Sequence, residues 1–169
     1  MDIDATRTRG RGEFPTDRPM DVLKADHQLT RQLFDRYFQA RDADEKKDAG
    51  THIVLLLEMH TSIEEGVFYP RVRGVDPALV DHCEQDHEQA RQWIERLKIM
   101  DESDPQAEQL FRQLADAILK HIDVEEQQLF PKVQQAGLDM GEIGLEMQSL
   151  ETRMIADRQH KPMAPGLRQ

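Results

Sequence analysis

Apolar residues recur every three or four positions in four separate stretches of the chain. That spacing places them on one face of an α-helix, because a helix makes one turn in about 3.6 residues. The four apolar faces contain Leu23, His27, Thr30, Phe34 and Tyr37; Ile53, Leu56, Leu57, His60, Ile63, Glu64 and Val67; Val80, Cys83, His87, Ala90, Ile94 and Leu97; Leu110, Leu114, Ala117, Ile118, His121, Val124 and Glu125. The pattern therefore predicts four amphipathic helices, each with a histidine on its apolar face.

Proline positions predict where several helices begin and end. Two Asp-Pro pairs, at residues 76–77 and 104–105, supply an N-cap followed by proline at the first helical position. Pro70 and Pro131 are predicted to end the second and fourth helices, because proline offers no amide donor. Four long helices joined by short turns are typical of an antiparallel bundle. The predicted fold is all-α, an antiparallel up-down four-helix bundle.

The bundle is predicted to occupy residues 18–135, after a flexible N-terminal arm at residues 1–17. A further amphipathic helix is predicted at residues 138–160, followed by a tail at residues 161–169. One side of that additional C-terminal helix carries Ile143, Met147, Leu150 and Met154. It is expected either to pack across the bundle or to mediate association, so both a monomer and a homodimer stay open.

Composition and charge restrict the partners and the compartment. A chain of 169 residues is long enough for one domain with a core. The net charge of −11 repels nucleic acid and anionic membranes, so we expect neither as a partner. We find neither a secretory signal nor an apolar run long enough to span a bilayer. Cys83 is the single cysteine, which excludes an internal disulfide and favours a reducing, cytoplasmic location.

The two halves of the predicted bundle repeat the same polar pattern. The block Asp-His-x3-Arg occurs at residues 26–31 and again at residues 86–91. The block His-x3-Glu-Glu-x3-aromatic-Pro occurs at residues 60–70 and again at residues 121–131. Two such helical hairpins, packed about a pseudo-twofold axis, would bring six polar side chains to the middle. They are His27, His60, Glu64, His87, His121 and Glu125.

These six residues are candidate metal ligands because of where they fall on the helices. Residues four apart are separated by about 40° of rotation and about 6 Å of rise, so His60 and Glu64 share an apolar face. Glutamate is almost never fully buried without a partner, and burying a carboxylate uncompensated is costly. Cations would compensate the two carboxylates. Imidazole suits iron, zinc and copper, and carboxylate oxygen favours harder ions.

At these residues the chain resembles the hemerythrin family in its HHE cation-binding form, over about residues 20–135. The resemblance rests on the two Asp-His pairs and on the two His-x3-Glu-Glu blocks that end in an aromatic residue and proline. It implies a bundle that holds an oxygen-bridged di-iron centre. It also implies that the first two histidines serve one iron and the last two the other, with both glutamates bridging.

One position departs from the pattern of the oxygen-carrying hemerythrins, which have two histidines four apart on the third helix. Here the residue four before His87 is Cys83, whose counterpart in the repeat is Leu23. Cys83 is predicted to fill the core, since a free cysteine behaves as a small buried hydrophobe. The missing histidine leaves a coordination position for water, peroxide or another small ligand, unless a further ligand such as Glu84 or Glu126 fills it.

Other polar residues near the pattern are assigned different places. His52 lies about 12 Å from His60 along its helix, and His82 lies about 140° off the apolar face, so neither is expected at the site. Glu65 and Glu126 are predicted to be solvated or to support a histidine. The aspartates of the Asp-His pairs are predicted to lie on a charged outer face, with support of metal-bound imidazole as the alternative.

The expected function is binding or processing of small oxygen species, dioxygen or hydrogen peroxide, including catalase-like or peroxidase-like removal of peroxide. The alternatives are reversible binding or sensing of dioxygen or nitric oxide, and iron sensing or storage without catalysis. The missing fifth histidine favours an open, reactive site over simple oxygen carriage. A ferritin-like site would show Glu-x2-His pairs, whereas this chain has His-x3-Glu.

Overall fold

The computed structural model describes residues 14–101 and 104–160, and the long elements among them are all α-helices. They are α1 (Pro19–Gln39), α2 (Ala43–Ile63), α3 (Pro77–Ile99), α4 (Pro105–Val124) and α5 (Met140–His160). Helices α1 to α4 form the antiparallel four-helix bundle and α5 is the additional C-terminal helix, so the predicted fold is confirmed. The predicted arm up to residue 13 and the predicted tail lie outside the described residues. None of the described helices is long and apolar enough to cross a membrane.

Aspartate side chains cap the beginnings of three bundle helices. Asp42, Asp76 and Asp104 each accept a hydrogen bond from a backbone amide in the first turn that follows, at 2.9, 3.1 and 2.9 Å. Such caps satisfy amides that have no partner inside the helix. Because Asp42 already caps α2, the turn between α1 and α2 consists of residues 40–42 only.

The second and fourth bundle helices do not end before their prolines, so that prediction is wrong. Each helix passes through a π-helical turn and then continues, with Glu64–Phe68 and Tyr69–Val72 after α2, and Glu125–Leu129 and Phe130–Gln135 after α4. We call Glu64–Phe68 and Glu125–Leu129 the π-turns. In the first, the amide of Tyr69 bonds to the carbonyl of Glu64, five residues back. This wider turn accommodates Pro70, because no amide is then required to bond the carbonyl four residues earlier.

Two apolar clusters fill the bundle, and the six candidate ligands lie between them. The first, toward α5, includes Leu23, Phe68, Val80, Cys83, Leu129, Phe130, Ile143 and Met147. The second includes Leu33, Phe34, Leu56, Leu57, Ala90, Ile94, Leu114 and Ile118. On α1, His27 falls between Leu23 of the first cluster and Leu33 of the second. On the other bundle helices, too, residues of both clusters lie on either side of the site, so apolar side chains enclose it from both ends.

Two glycines allow close packing against α5. A Cβ atom at Gly66, in the first π-turn, would lie 2.9 Å from Cδ2 of Leu150. A Cβ atom at Gly144 would lie 1.8 Å from the backbone oxygen of Thr16, so the segment before α1 crosses α5 where α5 has no side chain. Phe14, in the same segment, packs against the first apolar cluster. The described end of the N-terminal arm is therefore in contact with the bundle.

Candidate metal centre

The structure brings all six predicted ligands together in the interior of the bundle. The four histidines are between 2% and 5% exposed, and both glutamates are fully buried. Their ligand atoms form two groups, and within each group all atoms lie within 4.8 Å of one another. Position A contains His27, His60, Glu64 and Glu125, and position B contains Glu64, His87 and His121. Glu64 belongs to both groups.

Each histidine meets a carboxylate from another helix at its outer ring nitrogen. The Nδ1–oxygen distances are 3.0 Å for His60 to Asp26, 3.1 Å for His121 to Asp86, 2.8 Å for His27 to Glu126 and 3.4 Å for His87 to Glu65. At His27, His60 and His121 these contacts are hydrogen bonds, and an Nδ1–H that donates outward fixes the tautomer and leaves the lone pair of Nε2 facing inward. Nδ1 of His87 makes no hydrogen bond at its 3.4 Å separation from Glu65. The Nε2 atoms of His87 and His121 are 3.1 Å apart.

The aspartates of the two Asp-His pairs support imidazoles, so the prediction of a charged outer face is wrong. Asp26 is fully buried and reaches His60 on the neighbouring helix. The side chain of Asp86 is 32% exposed and reaches His121 in the same way. Recurrence of aspartate directly before histidine was the signal in the sequence. It did not show that each aspartate serves a histidine other than its neighbour.

The arginines of the two repeated blocks hold the outer glutamates. Arg91 donates to Glu65 at 2.7 Å, and Arg31 lies 3.8 Å from Glu126. Glu65 and Glu126 are therefore positioned between an arginine at the surface and an imidazole at the site. The sequence predicted that these two glutamates are either solvated or support a histidine. The contacts favour support of a histidine.

The cluster strongly attracts positive charge. Burial disfavours a charged His60, but the carboxylates of Glu64 and Asp26 outweigh burial and raise the pKa of His60 to about 10. Burial likewise opposes charge on His121, and Glu125 and Asp86 raise the pKa of His121 to about 10. Burial acts to raise the pKa of Glu125, but the neighbouring histidines hold that pKa well below its usual range.

Several nitrogen and oxygen atoms that face the centre of the site are better partners for a cation than for one another. Among the described residues, Nε2 of His27 and of His60, both oxygens of Glu64 and Oε1 of Glu125 are buried without a hydrogen-bond partner. A buried polar atom left unsatisfied costs about 1–3 kcal/mol, and more when it is charged. Imidazole nitrogen together with carboxylate oxygen is a donor set that suits iron and similar metals. The residues therefore fit a resident pair of cations.

The residues considered as further ligands lie elsewhere. Cys83 is fully buried in the first apolar cluster, where burial and then the nearby carboxylates raise the pKa of its thiol. Glu84 pairs with Arg73. Glu126 faces Nδ1 of His27, on the side of the ring away from the centre. The fifth-histidine position is thus occupied by a buried thiol that packs in the core.

Tyr69 is a residue of the site that the six predicted ligands do not include. Its hydroxyl donates to Oε2 of Glu125 at 2.9 Å and lies 3.2 Å from Nε2 of His87. Burial, and then the carboxylates of Glu125 and Glu64, raise the pKa of Tyr69 well above its usual value. The aromatic-Pro end of the repeated block marked this position in the sequence. The contacts of the Tyr69 hydroxyl depend on how the segment Tyr69–Val72 is rotated, which the sequence does not give.

A four-helix bundle with four inward imidazoles and two fully buried glutamates at its centre defines a class, the bundles with a histidine–carboxylate metal site. Residues 18–133 match the family described as the hemerythrin HHE cation binding domain. The chain belongs to that family, as its motifs predicted.

Two known proteins are similar to this chain. A curated DNA nickase from Nostoc sp. (strain PCC 7120 / SAG 25.82 / UTEX 2576) is 30% identical over 118 residues. The match covers 67% of this chain and 32% of the relative, so the chain spans about a third of that protein's length. The crystal structure of a hemerythrin HHE cation binding domain-containing protein from Mycobacterium kansasii superposes with a TM-score of 0.70. It covers 83% of this chain and 89% of that chain at 21% identity, a likeness that shows the fold.

Proposed function

We propose that the chain holds an oxygen-bridged pair of irons and uses it to bind and process small oxygen species. The ligands in this proposal are His27, His60, Glu64, His87, His121 and Glu125. The observation that carries it is the orientation of the four imidazoles, each with a carboxylate at Nδ1, around two fully buried glutamates.

The arrangement of the glutamates supports two cations over one. Glu64 belongs to both ligand groups. Oε1 of Glu125 lies 3.3 Å from Nε2 of His27 and 3.1 Å from Nε2 of His121, one histidine from each half of the bundle. A carboxylate that faces both halves is suited to joining two metal ions, as in other carboxylate-bridged bundles.

Among reactions of oxygen species we favour catalase-like removal of hydrogen peroxide. A bound pair of irons would supply the electron exchange by which one peroxide is oxidised to dioxygen while a second is reduced to water. The chain's own part is to orient the imidazoles and to limit water through the two apolar clusters. It also leaves the fifth-histidine position to Cys83, whose buried thiol is a poor ligand.

Reversible binding of dioxygen or nitric oxide is the second candidate. The enclosure of the site between two apolar clusters favours it, because a dry pocket slows the loss of a bound gas to side reactions. Iron sensing or storage is the alternative without catalysis.

Metal analysis and spectroscopy test these proposals together. Two irons per chain are expected, with absorbance changes on reduction and on return to air. Rapid evolution of dioxygen after peroxide is added would support the enzyme, and a stable adduct released under vacuum would support the carrier. A chain that binds no metal would contradict the whole proposal.

We further propose that this chain has no nucleic-acid partner, although one relative is named for an activity on DNA. The net charge of −11 opposes contact with phosphates, and the shared part is about a third of that relative. Incubation of the iron-loaded protein with supercoiled plasmid should leave the plasmid supercoiled. Relaxed circles, absent from a metal-free control, would contradict this.

The cytoplasmic location is likewise a proposal, based on the lone cysteine.

A further inference from the structure

The two halves of the site differ in one aromatic residue. The repeat places Tyr69 before the proline in the first half and Phe130 in the second. Phe130 stacks on His27 with ring centroids 5.9 Å apart and an interplanar angle of 3°, so an apolar ring covers position A. Tyr69 lies against His87, with ring centroids 5.3 Å apart, and brings a hydroxyl to position B. The two metal positions therefore have different polar surroundings.

Position B contains the imidazoles of His87 and His121 and shares Glu64 with position A. Oε1 of Glu125 also lies 3.1 Å from Nε2 of His121, while Oε2 of the same carboxylate accepts the proton of Tyr69 at 2.9 Å. Two imidazoles with carboxylate oxygens leave an iron open to exogenous ligands. The aromatic residue beside each position therefore decides which side offers such a ligand a hydrogen bond.

The hydroxyl of Tyr69 is placed where a ligand of position B would meet it. Tyr69 is fully buried, and its oxygen lies 3.2 Å from Nε2 of His87, one of the proposed ligand atoms. A small oxygen ligand is an acceptor and gains from a donor in a dry site, where hydrogen bonds to charged groups are the strong ones. At position A the corresponding ring is that of Phe130, which has no hydroxyl to donate.

We propose that the small oxygen ligand binds at position B and that the hydroxyl of Tyr69, which donates to Glu125 in the structure, turns to donate its one proton to that ligand. This inference rests on the proposed di-iron site and adds the side of the site that is used. Tyr69 then acts as a ligand-binding residue, and the π-turn that precedes it sets the direction of its ring. The site is asymmetric even though the ligand residues repeat.

Azide binding to the oxidised, iron-loaded full chain tests the proposal, because azide is a small anion whose binding changes the visible spectrum. The variant is Tyr69→Phe, which places at this position the residue that the other half already carries. It should keep two irons per chain while the Kd for azide rises about tenfold, the effect of losing one hydrogen bond to a charged ligand. Tyr37→Phe, in the second apolar cluster, is the matched control and should bind azide as the natural chain does.

Phe130→Tyr shows which side is used, since it adds a hydroxyl at position A and should leave azide binding unchanged. Tighter azide binding in that variant would overturn the proposal. Equal affinity in Tyr69→Phe with two irons bound would overturn it and leave the proposed function standing. Loss of iron from Tyr69→Phe at unchanged helicity would also overturn it, because Tyr69 would then act by holding Glu125. A natural chain that takes up no iron would overturn both.

Discussion

At the scale of single residues, the site depends on pairs of groups in which each partner fixes the other. Asp26 has no exposed surface, and its oxygen lies 3.0 Å from Nδ1 of His60. That contact sets the ring orientation and tautomer, and a carboxylate acceptor makes imidazole a better donor to a metal. The residues behind the ligands therefore matter for affinity although they do not touch the cation.

Asp26→Asn should weaken iron binding without abolishing the fold. The amide can still accept from His60 but carries no charge, so we expect metal affinity to fall about 10–100-fold. Competition with a coloured chelator measures this. Asp35→Asn, on the exposed side of the same helix, is the control and should retain full affinity. Equal affinities in the two variants would refute a role for Asp26 behind His60.

His60→Ala should lose iron from position A, because it removes one imidazole and leaves the carboxylate of Glu64 without its nearest nitrogen. Glu125→Ala should lose iron as well. His52→Ala, on the same helix as His60 but away from the cluster, should bind two irons per chain. Elemental analysis after gel filtration gives the count. Full iron retention in both His60→Ala and Glu125→Ala would show that the ligands are wrongly assigned.

At the scale of elements, the π-turns let consecutive glutamates serve different partners. Each π-turn begins at the inner glutamate, Glu64 or Glu125. The next residue faces outward to a histidine of another helix, as Glu126 does with His27. π-turns often occur at functional sites, since the extra residue re-aims the side chains that follow.

Gly144→Ala should destabilise the docking of the segment before α1. The new Cβ atom would lie 1.8 Å from a backbone oxygen of Thr16, and backbone cannot move aside as a side chain can. We expect a loss of about 1–3 kcal/mol in unfolding free energy, measured by chemical denaturation. Gly141→Ala is the control, because its Cβ atom meets Asp139 only at 3.5 Å. It should be neutral or slightly stabilising, by at most about 1 kcal/mol. If both variants behave alike, the close crossing does not contribute to stability.

At the scale of the whole molecule, a charged cluster divides the hydrophobic core into two parts. The glutamates and histidines between the clusters gain most when cations neutralise them, so metal binding should be coupled to folding. A ligand present at about a thousand times its Kd stabilises the native state by about 4 kcal/mol.

Removal of iron should therefore lower the Tm. For a chain of this size, 1 kcal/mol corresponds to about 2–4 °C, so chelation should lower the Tm by roughly 8–16 °C. Differential scanning calorimetry with and without chelator measures the change, and readdition of iron should restore it. His60→Ala should show a smaller dependence on chelator. A natural chain with the same Tm in both conditions would mean that its buried acids need no cation.

The sequence by itself determined the helical faces, the bundle and the six residues at its centre. Each of these follows from local periodicity, because residues four apart share a face and a buried carboxylate needs a partner wherever the helix packs. The repeated blocks also predicted that two similar helical hairpins pack against each other. Helix ends were predicted less well, since the rule for Pro70 assumes an α-helical turn and the chain makes a π-turn there.

Only the tertiary structure decided which groups face each other across helices. Asp26 precedes His27 in the chain but bonds to His60, and His27 bonds to Glu126, far away in sequence. Likewise, the difference between Tyr69 and Phe130 became a difference between two metal positions only once both rings were placed. The physical reason is that such contacts depend on the rotation and axial offset of one helix against another. Periodicity within a helix fixes which face is buried and leaves both of those quantities free.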